Sequence, residues 1–203
     1  DRTADFYLLQ IRPIVDAKQE LAEDVTAIPD NRCLIRSHNS LGHGTSEEVT
    51  DVVYVKYDDT FSAANNVKIA EEIGRINQKF IDEGRNYVLI GPGRWGSSDS
   101  WLGVPVKWPD ISAARIIVEV ALKNYRVDPS QGTHFFQNMT SFGVGYFTVD
   151  TNLPGEGGII YKEMLDAMPA VEETEWVRHV RFGRPLRIMM DGMKQEGVVM
   201  TAE

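Results

Sequence analysis

Hydrophobic and polar positions alternate with period two over most of this chain and with helical period over one long stretch. That pattern predicts an α+β fold, with a mixed β-sheet and a few helices. Residues 5–15 form an apolar run stopped by Pro13, which fits a strand covered on both faces, and no neighbouring segment offers it a partner. Further strands are expected at 33–37 and 49–57, with Gly42 and Gly44 turning the chain between them. Val67, Ala70, Ile73, Ile76 and Phe80 then recur at helical spacing and Gly84 supplies a stop, so residues 62–83 should form an amphipathic helix lying on a sheet. A strand is expected at 86–90, followed by a loop of glycine and small polar residues at 91–99. Residues 111–122 fit either a helix or a strand, and the β-branched run Ile116, Ile117, Val118 favours the strand. A short helix at 133–142, a strand at 143–149, a loop at 152–158 and a helix at 161–168 follow. Strands at 176–182, 186–191 and 197–201 close the chain. The sequence divides into a detached terminal strand at 1–15, a linker at 16–32 marked by Pro29, Asp30 and Asn31, and an α+β domain at 33–203.

With 203 residues, 42% of them hydrophobic and 25% charged, the chain has the make-up of an ordinary globular protein. Its net charge of -9 comes without any basic stripe able to neutralise nucleic-acid phosphates, so neither nucleic acid nor an anionic membrane is an expected partner. The most apolar stretch, 113–122, is interrupted by Arg115 and Glu119 and is far shorter than the roughly 20 residues of a membrane helix. Cys33 is the single cysteine, which excludes an internal disulfide and fits a cytoplasmic protein. The chain opens on Asp1 and reaches strand-like sequence within a few residues, with no features of a signal peptide, so it reads as a fragment of a longer protein.

In the first strand Gln10 and Arg12 share one face with Leu8, while Tyr7, Leu9 and Ile11 share the other. A covered strand carrying an amide beside a guanidinium needs a polar partner, because burying either group unpaired costs free energy. A phosphate oxygen would satisfy Arg12 through a charge-assisted bond, and Gln10 could serve a phosphate or a metal-bound water. The segment Leu9-Gln10-Ile11-Arg12-Pro13 resembles the Leu-Gln-x-Arg-Pro signature that ends the ATP-grasp domain of pyruvate, phosphate dikinases and phosphoenolpyruvate synthases. The resemblance implies that residues 1–15 are the last strand of such a domain and that Gln10 and Arg12 line its ATP site. It further implies that ATP and Mg2+ serve the intact protein, none being held tightly by this fragment, and that the upstream ATP-grasp domain of the same polypeptide is a partner. In that family a swivelling phosphohistidine domain and a pyruvate-binding barrel come next, but residues 33–203 are too few for a (β/α)8 barrel, which takes about 250.

The family's phosphohistidine segment has a Gly-Gly-x-Thr/Ser-x-His-x-Ala pattern at the start of a helix. Here Ser130-Gln131-Gly132-Thr133-His134 offers glycine, threonine and histidine in that order, which makes His134 the candidate phosphoryl carrier. The paired glycines are missing, the spacing is compressed, and Phe135 stands where a small residue is usual, so a histidine capping a turn fits as well.

Gly91-Pro92-Gly93-Arg94-Trp95-Gly96 matches G-x-G-x-x-G after a strand, but Pro105 and Pro109 argue against the helix that a dinucleotide site needs next. A looser anion site remains, with Gly91, Gly93, Arg94 and Ser97 as binding residues, Ser98 beside them and Trp95 or Trp101 as a wall. A tight loop that uses glycine for geometry and tryptophan for packing fits the same residues. Cys33, His38 and His43 are all metal-ligand types, yet their spacing matches no common zinc module, and no metal site is expected. Glu172, Glu173 and Glu175 read as a solvated charge run and His179 as a structural residue.

The expected function is that of a fragment of an ATP-dependent phosphotransferase whose C-terminal domain carries or docks a phosphoryl carrier, the isolated fragment being inactive. Two other functions fit: a non-catalytic phosphate- or nucleotide-binding regulatory module with a small phosphorylated ligand, and a structural domain that forms homo-oligomers.

Overall fold

The computed structural model describes residues 21–58, 61–123, 138–139 and 141–202. The terminal strand expected at 1–15, with Gln10 and Arg12, lies outside the described residues, as does His134.

The described residues build a mixed α+β structure dominated by strands. In chain order these are β1 (Cys33–Ser37), β2 (Asn39–Leu41), β3 (Gly44–Val55), α1 (Asn66–Glu83), β4 (Tyr87–Pro92), β5 (Arg94–Trp95) and β6 (Gly103–Val104). They continue with β7 (Ala114–Ala121), β8 (Gly145–Asp150), β9 (Ile159–Ile160), α2 (Lys162–Ala167), β10 (Ala170–Glu173), β11 (Val177–Asp191) and β12 (Glu196–Met200). The main sheet runs β2-β8-β7-β4-β3-β11-β12-β1-β9, with β10 added beside β11. Strands β3, β4, β7 and β8 are mutually parallel, whereas β11, β12, β1 and β2 join antiparallel. A parallel pair needs a crossover, and α1 provides it between β3 and β4. Only His38 separates β1 from β2, yet β1 pairs with β12 and β2 pairs with β8, which places the two flanks of the strand order side by side. The sheet therefore rolls round and closes into a barrel.

Closure explains the near-continuous apolar runs of the central strands, which have no wet face. Val52, Tyr54, Val88, Ile90, Ile116 and Val118 point into the barrel and pack around Phe147 and Ile188. Their neighbours Val53, Val55, Tyr87, Leu89 and Ile117 point outward and pack under Ile69, Ile73, Ile76 and Phe80 of α1. The helix ends at Gly84, whose φ of +63 is a left-handed conformation that glycine adopts without steric cost. Gly197 has a different task, since a Cβ there would lie 2.4 Å from the Phe147 ring that fills the barrel. Helix α2 caps one end of this interior by inserting Leu165, and the Tyr54 hydroxyl donates to Asp166 Oδ1 at 2.8 Å.

Several segments differ from their sequence expectation. The strands expected at 176–182 and 186–191 are one strand, β11, whose pairing with β3 slips between Arg181 and Leu186 around Gly183 and Pro185. Glu172 and Glu173 lie in β10, an edge strand, where Glu172 meets Arg75 and Lys79 at 2.6 Å each and Glu173 meets Arg178 at 2.7 Å. Residues 21–32, expected within the linker, hold two 3-10 turns whose Val25 and Ile28 are buried, and the Arg36 guanidinium donates to the carbonyl oxygens of both. No helix among the described residues is long and apolar enough to cross a membrane.

Candidate functional site

Parallel α/β sheets take ligands at the carboxyl ends of their strands, and here that position is occupied by the 91–104 segment. Leaving β4, the chain turns at Gly93 (φ +72) and again at Gly96 (φ +74), which holds Arg94 and Trp95 as the short strand β5 beside β6. The N–H groups of this turn are used within the protein. Gly93 donates to Val120 O at 3.0 Å, Arg94 to Leu102 O at 3.2 Å and Gly96 to Val104 O at 2.9 Å. Asn66, fully buried at the start of α1, holds the far side through bonds from Nδ2 to Ser100 O at 2.7 Å and Gly103 O at 3.1 Å. A turn at Ser97, Asp99 and Trp101 completes it, with Trp101 N–H donating to Asp99 Oδ1 at 2.9 Å.

The fourth N–H, that of Trp95, donates at 3.0 Å to Oε1 of Glu119. Glu119 stands on β7 and is only 4% exposed, while its Oε2 accepts from the Tyr146 hydroxyl of β8 at 2.6 Å. Burial pushes the Glu119 carboxyl up from 4.5 to about 7, although the bonds from Tyr146 and Trp95 and the charge of Arg94 pull the other way. Tyr146 is itself driven upward by burial and by Glu119, so it remains a protonated donor. A buried carboxyl held well above its ordinary range by burial, at the carboxyl end of a parallel sheet, makes this cluster the candidate site.

Of the residues singled out from the sequence, Gly91, Gly93, Arg94 and Ser97 lie together in this segment. Gly91 gives room to the Trp95 indole, since a Cβ there would lie 2.4 Å from its Cζ2. Trp95 is buried and donates from Nε1 to Val118 O at 3.1 Å, whereas Trp101 is 66% exposed. With the N–H groups of 93–96 bonded inward and the Ser97 hydroxyl donating to Asp99 O at 2.7 Å, the segment is not a cradle of backbone donors. Glu119, Tyr146 and Asn66 were not singled out as functional from the sequence, although a carboxylate inside the apolar run 113–122 was a usable signal. Gly91→Ala should therefore unseat the indole, with a loss of about 1–3 kcal/mol. Urea unfolding and the resonance of the Trp95 indole N–H measure both effects, and an unmoved resonance would show that the ring is not wedged there.

A second polar cluster lies at the start of β4. Asp51 is 1% exposed and accepts from His179 Nε2 at 2.7 Å, Arg181 Nε at 2.8 Å and Thr50 Oγ1 at 2.6 Å, with Arg85 at 3.0 Å. Phe80 lies against both partners, its ring centroid 5.2 Å from that of His179 and 5.1 Å from the Arg85 guanidinium. Cys33, His38 and His43 take separate neighbours: Cys33 lies by Arg36, His38 bonds Glu196 at 2.8 Å, and His43 Nδ1 accepts from Gly192 N–H at 3.3 Å. Among the described residues no group of three or more metal-ligating side chains converges. Comparison with protein-family models, with curated proteins and with solved structures finds no match to this chain.

Proposed function

We propose that the chain is part of an ATP-dependent phosphotransferase resembling pyruvate, phosphate dikinase and phosphoenolpyruvate synthase, and that its folded domain serves this enzyme by binding a phosphorylated small ligand. The phosphotransferase lineage rests on Leu9-Gln10-Ile11-Arg12-Pro13. The binding role rests on one observation: the Arg94–Trp95 segment sits at the carboxyl ends of β4 and β7, clamped onto the buried Glu119. Arg94 is the ligand's charge partner, since a guanidinium suits phosphate oxygens. Glu119 lies behind it and fixes the backbone that carries it.

Two measurements test the two parts separately. Titrating the chain with inorganic phosphate, sulfate and phosphoenolpyruvate, followed by NMR, should move the resonances of Arg94 and Ser97, and Arg94→Ala should weaken binding at least tenfold. Saturable binding unaffected by Arg94→Ala would place the ligand elsewhere. Incubating the full-length protein with radiolabelled ATP, then mapping acid-labile phosphate, should mark His134 if this domain carries the phosphoryl group. Label on another histidine leaves the domain a docking module, and no label in a protein that binds ATP removes the phosphotransferase assignment.

A further inference from the structure

We propose that a groove at the amino ends of the parallel strands binds the zwitterion of an aromatic α-amino acid. Arg115 takes the carboxylate, Glu48 the ammonium and the Phe142 ring the aromatic side chain. The site is separate from the 91–104 segment and does not depend on the anion role proposed there.

The groove has a volume of about 500 Å³ and is lined by Glu48, Asn86, Trp108, Ser112, Arg115 and Phe142. That volume falls within the roughly 300–1,000 Å³ of small-molecule sites. Asn86 immediately precedes β4 and Arg115 is the second residue of β7, so the groove lies at the other end of these strands from Arg94 and Trp95.

The half-buried Arg115 donates from Nη1 to Gly143 O at 3.2 Å. This bond fixes the guanidinium next to Phe142 and leaves its other N–H groups to a ligand. Among the described residues Arg115 forms no ion pair, and neither does Glu48 of β3, although both line the same groove. An anion alone would answer Arg115 and be repelled by Glu48, and a cation alone would meet the reverse. A ligand carrying both signs a short distance apart answers both, and its carboxylate matches the fork of the guanidinium. Asn86 spends its Nδ2 on Ala113 O at 2.9 Å, so its Oδ1 is the atom left to accept from the ammonium.

The ring has a place as well. Phe142 stacks on Trp108 with the planes 11° apart and the centroids at 5.4 Å, yet it is 63% exposed. One face of Phe142 meets the indole and the other is open. A further ring laid on that face extends the stack and removes apolar surface from water.

L-Tryptophan is the probe, with indole-3-propionate as the analogue lacking the ammonium and tryptamine as the one lacking the carboxylate. Titrated into the chain up to about 10 mM and followed by NMR, L-tryptophan should give saturable shifts at Arg115, Trp108 and Phe142, and each analogue should bind at least about tenfold more weakly. Arg115→Gln should weaken L-tryptophan by a similar factor and leave tryptamine unaffected. Glu48→Gln should erase the advantage of L-tryptophan over indole-3-propionate, and Phe142→Ser should weaken all three. The analogue series needs no variant, so it decides the matter even where a substitution unfolds the chain. Indole-3-propionate binding as tightly as L-tryptophan would overturn the zwitterion. No saturable shift, or binding indifferent to Arg115→Gln in a folded variant, would overturn the groove as a site.

Discussion

Replacing Asp51 by alanine should cost about 2–3 kcal/mol, because it leaves the buried His179 ring without its acceptor and removes the shared partner of two partly exposed arginines. Arg181, Arg85 and His179 converge on that one carboxylate, joining β3, β11 and the turn that follows α1. Burial by itself pushes the Asp51 carboxyl up, but the bonds from His179, Thr50 and Arg181 and the charge of Arg85 outweigh it and hold the group at about 2. A carboxyl lowered in the folded state stabilises that state above its unfolded value of 3.8, and this contribution is lost as the pH falls towards about 2. Urea unfolding at pH 7 and again at pH 3 should show the parent weakening relative to Asp51→Ala as acid is added. An unchanged unfolding midpoint at pH 7 would mean that the cluster contributes no net stability.

The opposite sign is expected for Glu119→Gln, which should be more stable than the parent by roughly 3 kcal/mol at pH 8. The folded protein holds the Glu119 proton up to about 7, while the unfolded chain releases it near 4.5. Between those values the folded form binds more protons, so each rise in pH withdraws stability, and above about 7 the full penalty of a buried carboxylate is present. Glutamine keeps an oxygen for the Trp95 N–H and offers an amide N–H to the Tyr146 oxygen. Melting temperatures of the two proteins from pH 4 to pH 8 should diverge across this window. A constant difference between them would show that Glu119 does not titrate there.

The local patterns were legible because a helix or strand repeats its environment at a fixed period. The 62–83 periodicity located α1, and the β-branched run at 116–118 decided in favour of β7. Strand β1 falls at 33–37 as its pattern implied. What periodicity cannot carry is which distant residues meet. Glu119 appears in the sequence as a charge interrupting an apolar run, and its meaning depends on Trp95 and Tyr146, which lie 24 and 27 residues away along the chain. In the same way the glycines at 91, 93 and 96 suggested free backbone donors, while the partners that take those donors belong to β6 and β7. The edge strand β10 was hidden because its glutamates look solvated until α1 and β11 bring Arg75, Lys79 and Arg178 alongside. Closure into a barrel is likewise a long-range property, set by the pairing of β1 with β12 and of β2 with β8.

That seam also orders events during synthesis. Cys33 pairs with Met200, so the first described strand waits for the last one before that edge is covered. While the ribosome is still making β12, β3, β4, β7 and β8 can already stack beneath α1, leaving a curved half-shell with two raw margins. Joining contacts so far apart in the chain is slow compared with forming that half-shell. Zipping the two margins together should then be the slow step of folding, and the half-shell with open edges is the form that chaperones would hold.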